Sequence, residues 1–275
     1  MWAAVLVSSK SLSTVNMALQ RETSHSFERA FERDPSHHVA PSWSNTYSIE
    51  TDGSDDYVSC DTGTDINFIH NGASLAYWVN FDSAMSLHGI GVSTSSKAFY
   101  MGIYSAGYTY AGVPNGGASY GAISPGLSTG EWNHLALTVA SGGTIKTYAN
   151  GALISTNTYT PDASKSPPSN FFLGGMNSHA TGGITLNNTV DGHVDEVGIW
   201  TEELDADAIT AIYNSGEPTD LTVDDGNYDN SDTLWAYWRC GDNDGGTGST
   251  ITDQGSGANN GTLVGGTSFT TDVPS

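Results

Sequence analysis

The chain has 275 residues, with 8 Lys and Arg against 30 Asp and Glu, for a formal net charge of −22. That balance excludes a basic nucleic-acid-binding face, because neutralising phosphates takes clustered Lys and Arg, and it argues against docking on or inserting into an anionic membrane. Apolar residues make up 37%, no apolar run approaches the roughly 18 residues of a membrane span, and 33 Gly among abundant Ser, Thr, Asn and Asp describe short strands joined by turns.

Residues 1–46 read as an N-terminal arm and linker. The apolar stretch Trp2 to Val7 is too short for an export signal, and no basic residue precedes it. Residues 17–34 predict a short helix, weakened by the like-charged i,i+4 pairs Glu28/Glu32 and Arg29/Arg33 and ended by Asp34-Pro35. Such a helix cannot bury Phe27 and Phe31 alone. These two rings, with Arg29 and Arg33, read as a docking surface for another protein of an assembly or for further copies of this chain. Four bases against three acids give residues 1–33 a charge of +1, which leaves −23 for the rest.

From residue 47 the pattern becomes strand and turn. Tyr47–Glu50 and Asp56–Cys60 flank the turn at Asp52-Gly53-Ser54, and Ser74–Phe81 is a strongly apolar strand. Lys97–Tyr104 alternates, with Phe99, Met101 and Ile103 on one face and Tyr100, Gly102 and Tyr104 on the other. Trp132–Val139 follows. Thr144–Ala149 and Ala152–Thr158 flank Asn150-Gly151, a strong hairpin signal because both turn positions need positive φ. Asn170–Leu173 and Gly192–Trp200 are further strands. One short helix, capped by Asp205 and stopped by Gly216, has the apolar stripe Ile209, Ile212 and Tyr213 and reads as a plug on the end of a sandwich. Leu234–Cys240 and a stretch near Thr262–Phe269 close the chain. The alternation of the former puts Trp235, Tyr237 and Arg239 on one face and Ala236, Trp238 and Cys240 on the other. The two cysteines, Cys60 and Cys240, are too few for a disulfide framework or a zinc site. They are either buried small residues or one bridge closing a long loop.

In order and spacing, "SIETDGSDDYVSC" (48–60), "SLAYWVNF" (74–81), "GEWNHLALTV" (130–139), "TIKTYANGALI" (144–154), "NFFLGG" (170–175), "DGHVDEVGIWTEEL" (191–204) and "DADAITAIYNSG" (205–216) resemble the laminin-G-like domains of the concanavalin A-like lectin and glucanase superfamily. The resemblance implies an all-β, two-sheet antiparallel jelly-roll sandwich over residues 47–275. The segment "LWAYWRCGDNDGGTGSTITDQGSGANNGTLVGG" (234–266) looks like the piece that opens such domains but stands at the end, so the chain reads as a circular permutation with 234–275 supplying the displaced strands. Leu234–Cys240 is expected beside the strand holding Asp56–Cys60 or one of its neighbours.

Glucanases of this superfamily carry E-x-D-x-E on one strand, which puts three carboxyls on one face. That pattern is absent, and the nearest text, Glu203-Leu204-Asp205-Ala206-Asp207, lies at a helix start, where acids favour the dipole. His134, on an apolar strand, reads as a core residue. The expectation is therefore a non-enzymatic protein. Tyr100, Tyr104, Tyr108, Tyr110 and Tyr120, interleaved with Gly, are the candidate carbohydrate-binding residues, the alternative being cross-strand packing on a solvated face. Asp242 and Asp244, with Asp191 and Asp195, are candidate metal ligands, and calcium is the cofactor that such hard oxygens suit. Asp55-Asp56 is a further oxygen cluster; each of these sets has the alternative role of capping backbone N–H groups in a turn or at a strand end. The acidic jelly roll with a short arm resembles bacteriophage structural proteins. That resemblance implies a structural or adhesion role on a virus particle, with other virion proteins or its own copies as partners through the arm and glycans as a further candidate. The alternative is a secreted, lectin-like carbohydrate-binding domain.

Overall fold

The computed structural model describes residues 43–62, 66–82, 88–94, 97–104, 108–114, 119–123, 127–165, 167, 169–178, 186–187 and 189–275. The arm helix expected over 17–34, with Phe27, Arg29, Phe31 and Arg33, lies outside the described residues. Ser44–Ser275 forms one compact unit.

In chain order the strands are β1 (Ser48–Asp52), β2 (Tyr57–Asp61), β3 (Gly72–Phe81), β4 (His88–Thr94), β5 (Lys97–Tyr104), β6 (Tyr108–Gly112) and β7 (Ser119–Ile123). Next come β8 (Trp132–Ala140), β9 (Thr144–Ala149), β10 (Ala152–Thr158), β11 (Asn170–Leu173), β12 (Met176–Ser178), β13 (Leu186–Asn187) and β14 (Asp191–Trp200). The helix α1 (Ala206–Tyr213) precedes β15 (Leu234–Trp238), β16 (Thr250–Ile251), β17 (Gly261–Val264) and β18 (Ser268–Thr270).

The strands build three sheets. An eight-stranded sheet runs β10-β9-β8-β3-β14-β1-β18, with β15 also on β14. A four-stranded sheet runs β11-β2-β17-β16, and a six-stranded sheet runs β13-β12-β4-β5-β6-β7. Pairing is antiparallel apart from β12 on β4. One core joins all three, with Ile49, Leu75, Val79, Leu137 and Val194 from the first, Val58 and Phe171 from the second, and Phe99, Met101 and Ile103 from the third. The phenol of Tyr77 crosses this core and donates to the Met101 carbonyl at 2.9 Å. The fold is thus the expected jelly-roll sandwich.

Every residue of β3 is buried. The strand is apolar throughout because the inter-sheet core covers one face and α1 covers the other. The helix is not an end plug. Ala208, Ile209 and Ile212 pack with Ala76, Ala136, Tyr148 and Trp200 on the outer face of the eight-stranded sheet; the two alanines leave room for it there. Asp205 caps α1 by accepting from the Ala208 N–H at 2.8 Å, and Asn214, in the left-handed region at φ 44°, ends it before Gly216. The Asn150-Gly151 turn has the positive φ values, 47° and 74°, that the hairpin β9–β10 requires.

The C-terminal segment completes both layers, although the pairing differs from expectation. β15 pairs with β14, β17 with β2, and β18 with β1. It is therefore the strand after the Gly/Asp loop, not Leu234–Trp238, that flanks Tyr57–Asp61. Thr262–Phe269 splits into two strands in different sheets. Ala236, Trp238 and Cys240 face the inter-sheet core, while Tyr237 faces the helix side. Trp235 departs from the alternation, since it packs edge-on to Phe68 at 4.9 Å. Cys60 and Cys240 are free thiols buried in the core.

Candidate functional site

Because Phe99, Met101 and Ile103 enter the inter-sheet core, the intervening residues of β5 turn to the outer face of the six-stranded sheet. There Tyr100 sits opposite Gly91 on β4 and Gly112 on β6, and Tyr110 sits opposite Gly102. A Cβ on Gly112 would run into the ring carbons of Tyr100. The ring lies flat over the neighbouring strand, which only glycine permits. Tyr100 packs with Ala98, Met176 and Tyr110 in a cluster separate from the main core. At 7% exposure Tyr100 is a support, whereas Tyr108, 41% exposed, and the half-buried Tyr110 are the accessible rings. Tyr104 on β5 pairs with Tyr108 on β6. Tyr120 pairs with Ala111, so its register row is not that of Tyr108 and Tyr110.

A second site lies at the end of β1. Glu50, Asp52, Asp56, Asp82 and Asp191 line an open basin of about 460 Å³ with Gly266 and Ser268. Carboxylate oxygens of Asp52, Asp55 and Asp56 lie within 4.8 Å of one another. Gly53, at φ 72°, makes this clustering possible; a Cβ there would sit 2.8 Å from that of Asp191. Asp56 is fixed by the N–H groups of Gly266 and Asp52. Among the described residues this set offers a hard cation such as calcium several oxygens at once. Millimolar calcium is expected to raise the melting temperature over that in chelator at matched ionic strength, and Asp55→Asn to abolish the difference. An identical melt in both buffers contradicts calcium binding here.

The other candidate ligands are placed differently. Asp242 accepts from the Thr46 N–H at 2.9 Å and lies 3.3 Å from the Arg239 guanidinium. Asp244 accepts from the backbone N–H and the hydroxyl of Thr252 at 2.9 and 2.6 Å. The two carboxylates serve different protein donors. Asp195 is fully buried, held by the Asn45 amide at 2.9 Å and the Glu196 N–H at 2.8 Å. Only Asp191 joins the basin.

Asp195 belongs instead to a buried ionic cluster that sequence reasoning missed. A bulge in β14, with Glu196 at φ 46° and a register shift between Asp195 and Gly198, sets two acids side by side. Glu196 accepts from the Tyr237 phenol and from Arg239 Nε, the latter at 3.1 Å. Arg239 also donates to the Ser44 carbonyl at 2.6 Å, so Ser44 to Thr46, assigned above to the linker, are fastened to the body. Burial pushes the Glu196 carboxyl up to about 7, against the pull of Arg239. Burial, and then the adjacent Glu196, also raise Asp195. The available signal was Arg239 itself, the single arginine after residue 33. His134 is buried against Trp78 at 5.0 Å and Tyr213 at 6.0 Å, and burial lowers its imidazole to about 3. It is a core histidine.

The family model for the concanavalin A-like lectin/glucanases superfamily matches residues 52–210. Comparison with curated protein sequences gives no match. Among solved structures, a Bacteroides ovatus protein described as a putative carbohydrate binding protein aligns with a TM-score of 0.58 at 18% identity, over 84% of this chain and 62% of that one. This chain thus spans less than two thirds of that protein. A SAP-like pentraxin from Limulus polyphemus aligns with a TM-score of 0.47 at 14% identity, over 62% of this chain and 82% of that one. The CBM40 domain of a Ruminococcus gnavus sialidase, bound to sialyllactose, aligns with a TM-score of 0.46 at 17% identity, over 62% of this chain and all of that one. With more than half of its length matched by the family model and the sandwich architecture in place, the chain belongs to the concanavalin A-like lectin/glucanases superfamily.

Proposed function

We infer that this protein is a non-catalytic, lectin-like module that binds glycans on the outer face of the six-stranded sheet. The observation that carries this reading is the pair of accessible rings, Tyr108 and Tyr110, on a strand flanked by glycine-bearing neighbours and backed by the Tyr100–Met176 cluster. Sugars present C–H surfaces that aromatic faces cover, and the Tyr100 ring laid over Gly112 gives those two rings a firm backing. The fold agrees, being that of a lectin and glucanase superfamily, and the E-x-D-x-E constellation of its glucanases is missing from the sequence. A place on a virus particle would rest on the arm residues Phe27, Arg29, Phe31 and Arg33, outside the described part. Neither the family match nor the neighbouring structures bear on it, so the lectin-like reading replaces it as the leading one. No helix among the described residues is long and apolar enough to cross a membrane.

Tyr108→Ala and Tyr110→Ala are each expected to weaken glycan retardation in affinity electrophoresis roughly tenfold, about 1.4 kcal/mol, with unchanged melting temperature for the exposed Tyr108. Undiminished binding by both variants would move the site elsewhere.

A further inference from the structure

The thirty acidic residues are unevenly placed. Residues 83–130 contain no Asp or Glu, and neither do residues 163–190. All six strands of the six-stranded sheet, β4 to β7 with β12 and β13, fall inside these two spans. In a chain with a net charge of −22, one whole sheet is free of carboxylates, whereas the eight-stranded sheet carries Glu50, Asp52, Asp191, Asp195 and Glu196. The cations are equally telling. The lysines in these spans are Lys97, the first residue of β5, and Lys165; neither span contains arginine, the residue whose planar fork grips carboxylate and sulfate in two parallel hydrogen bonds. The body's one arginine, Arg239, has a side chain 10% exposed and bonded to Glu196 and Asp242. Lys146 is paired with Glu203 at 2.8 Å.

Resting on the glycan-binding reading above, we propose that the six-stranded sheet selects uncharged glycan chains and rejects those bearing carboxylate or sulfate groups. Two separate effects produce the selection. The sheet offers Tyr108 and Tyr110 to C–H faces but, with Lys97 as its single lysine, has no arginine fork with which to repay the desolvation of an anion. The acidic remainder of the molecule then repels any polyanion over a Debye length of about 8 Å at physiological salt. A sheet without carboxylates also spares an uncharged chain the cost of stripping their hydration.

The test is affinity electrophoresis and calorimetry on the full chain with two sets of probes. One set is neutral polysaccharides and their oligosaccharides: β-glucan, galactan and mannan. The other is anionic glycans: sialyllactose, alginate and a sulfated galactan. Each is measured at 20 and 200 mM salt. The expected result is binding to at least one neutral glycan with less than twofold salt dependence, at least tenfold weaker binding to every anionic glycan at 20 mM salt, and loss of neutral binding in Tyr108→Ala. An anionic glycan bound as tightly as any neutral one, and lost in Tyr108→Ala, overturns the selectivity while leaving the tyrosine site in place. Neutral binding that survives both Tyr108→Ala and Tyr110→Ala overturns the site. Binding to neither set overturns both.

Discussion

A chain ending at residue 233 is expected to lose its cooperative fold. The missing segment supplies β15 to β18, and its removal would take one pairing partner from each of β14, β2 and β1. It also removes Leu234, Tyr237, Trp238 and Ile251, all buried. The Trp238 ring stacks on Phe171 at 5.9 Å and its indole N–H donates to the Asn259 carbonyl at 2.7 Å. Each such side chain contributes roughly 1.5–3 kcal/mol by burial, and together they approach the total of about 5–15 kcal/mol typical of a domain. The truncated chain should show no cooperative melt by near-ultraviolet circular dichroism. A sharp transition at the full-length temperature would mean that 234–275 is not part of the domain.

The second large effect concerns Arg239. Replacing it by Met leaves Glu196 and Asp242 without their counterion in a site where the Glu196 side chain is 2% exposed. Breaking a buried pair from one side costs about 3–5 kcal/mol, which for a body of this size lowers the melting temperature by about 10 °C. The loss should be largest at pH 8 and smaller at pH 5. The sign follows from Glu196, whose carboxyl is raised from its ordinary 4.5 to about 7 in the folded chain. Its contribution is full below 4.5 and is lost as pH rises through 7, because the folded state holds the proton that the unfolded state releases. The parent protein is therefore expected to melt higher at pH 5 than at pH 8. Glu196→Gln should flatten that slope, and Glu196→Gln in the Arg239→Met background should recover most of the lost stability. Equal slopes in the parent and Glu196→Gln would assign the pH dependence to other carboxylates, the buried Asp195 first among them.

Strands whose apolar pattern is local were legible from the sequence. Lys97–Tyr104, Thr144–Ala149, Ala152–Thr158 and Asn170–Leu173 have the bounds that alternation, the Asn-Gly turn and flanking glycines indicate. β4 and β7, "HGIGVST" and "SYGAI", were not legible, because glycine in place of side chains erases the period on the outer face. Gly102 and Gly107 likewise interrupt the tyrosine run. With the glycine between tyrosines silent, nothing in residues 104–110 signals that β6 folds back onto β5.

The site residues divide along the same line. The tyrosines were visible as a dense local cluster. The acid basin was visible only in part, since Glu50, Asp52, Asp82 and Asp191 meet through the pairing of β1 with β14 and of β14 with β3. Pairing register over such separations is set by the fold. The Glu196–Arg239 contact joins residues 43 apart through β14 and β15, and it depends on a bulge that alternation does not foresee.

Glycan binding at the six-stranded sheet is tested most directly by nuclear magnetic resonance titration of the isotope-labelled chain with a neutral β-linked oligosaccharide. Binding there predicts shift changes that saturate and cluster at Ala98, Tyr100, Tyr108, Tyr110, Gly112 and Met176, while Glu50, Asp52, Asp56 and Asp191 stay unmoved. Perturbation centred on the acid basin, or on α1 with the Trp78 and His134 rings beneath it, would contradict a glycan site on the tyrosine-bearing face.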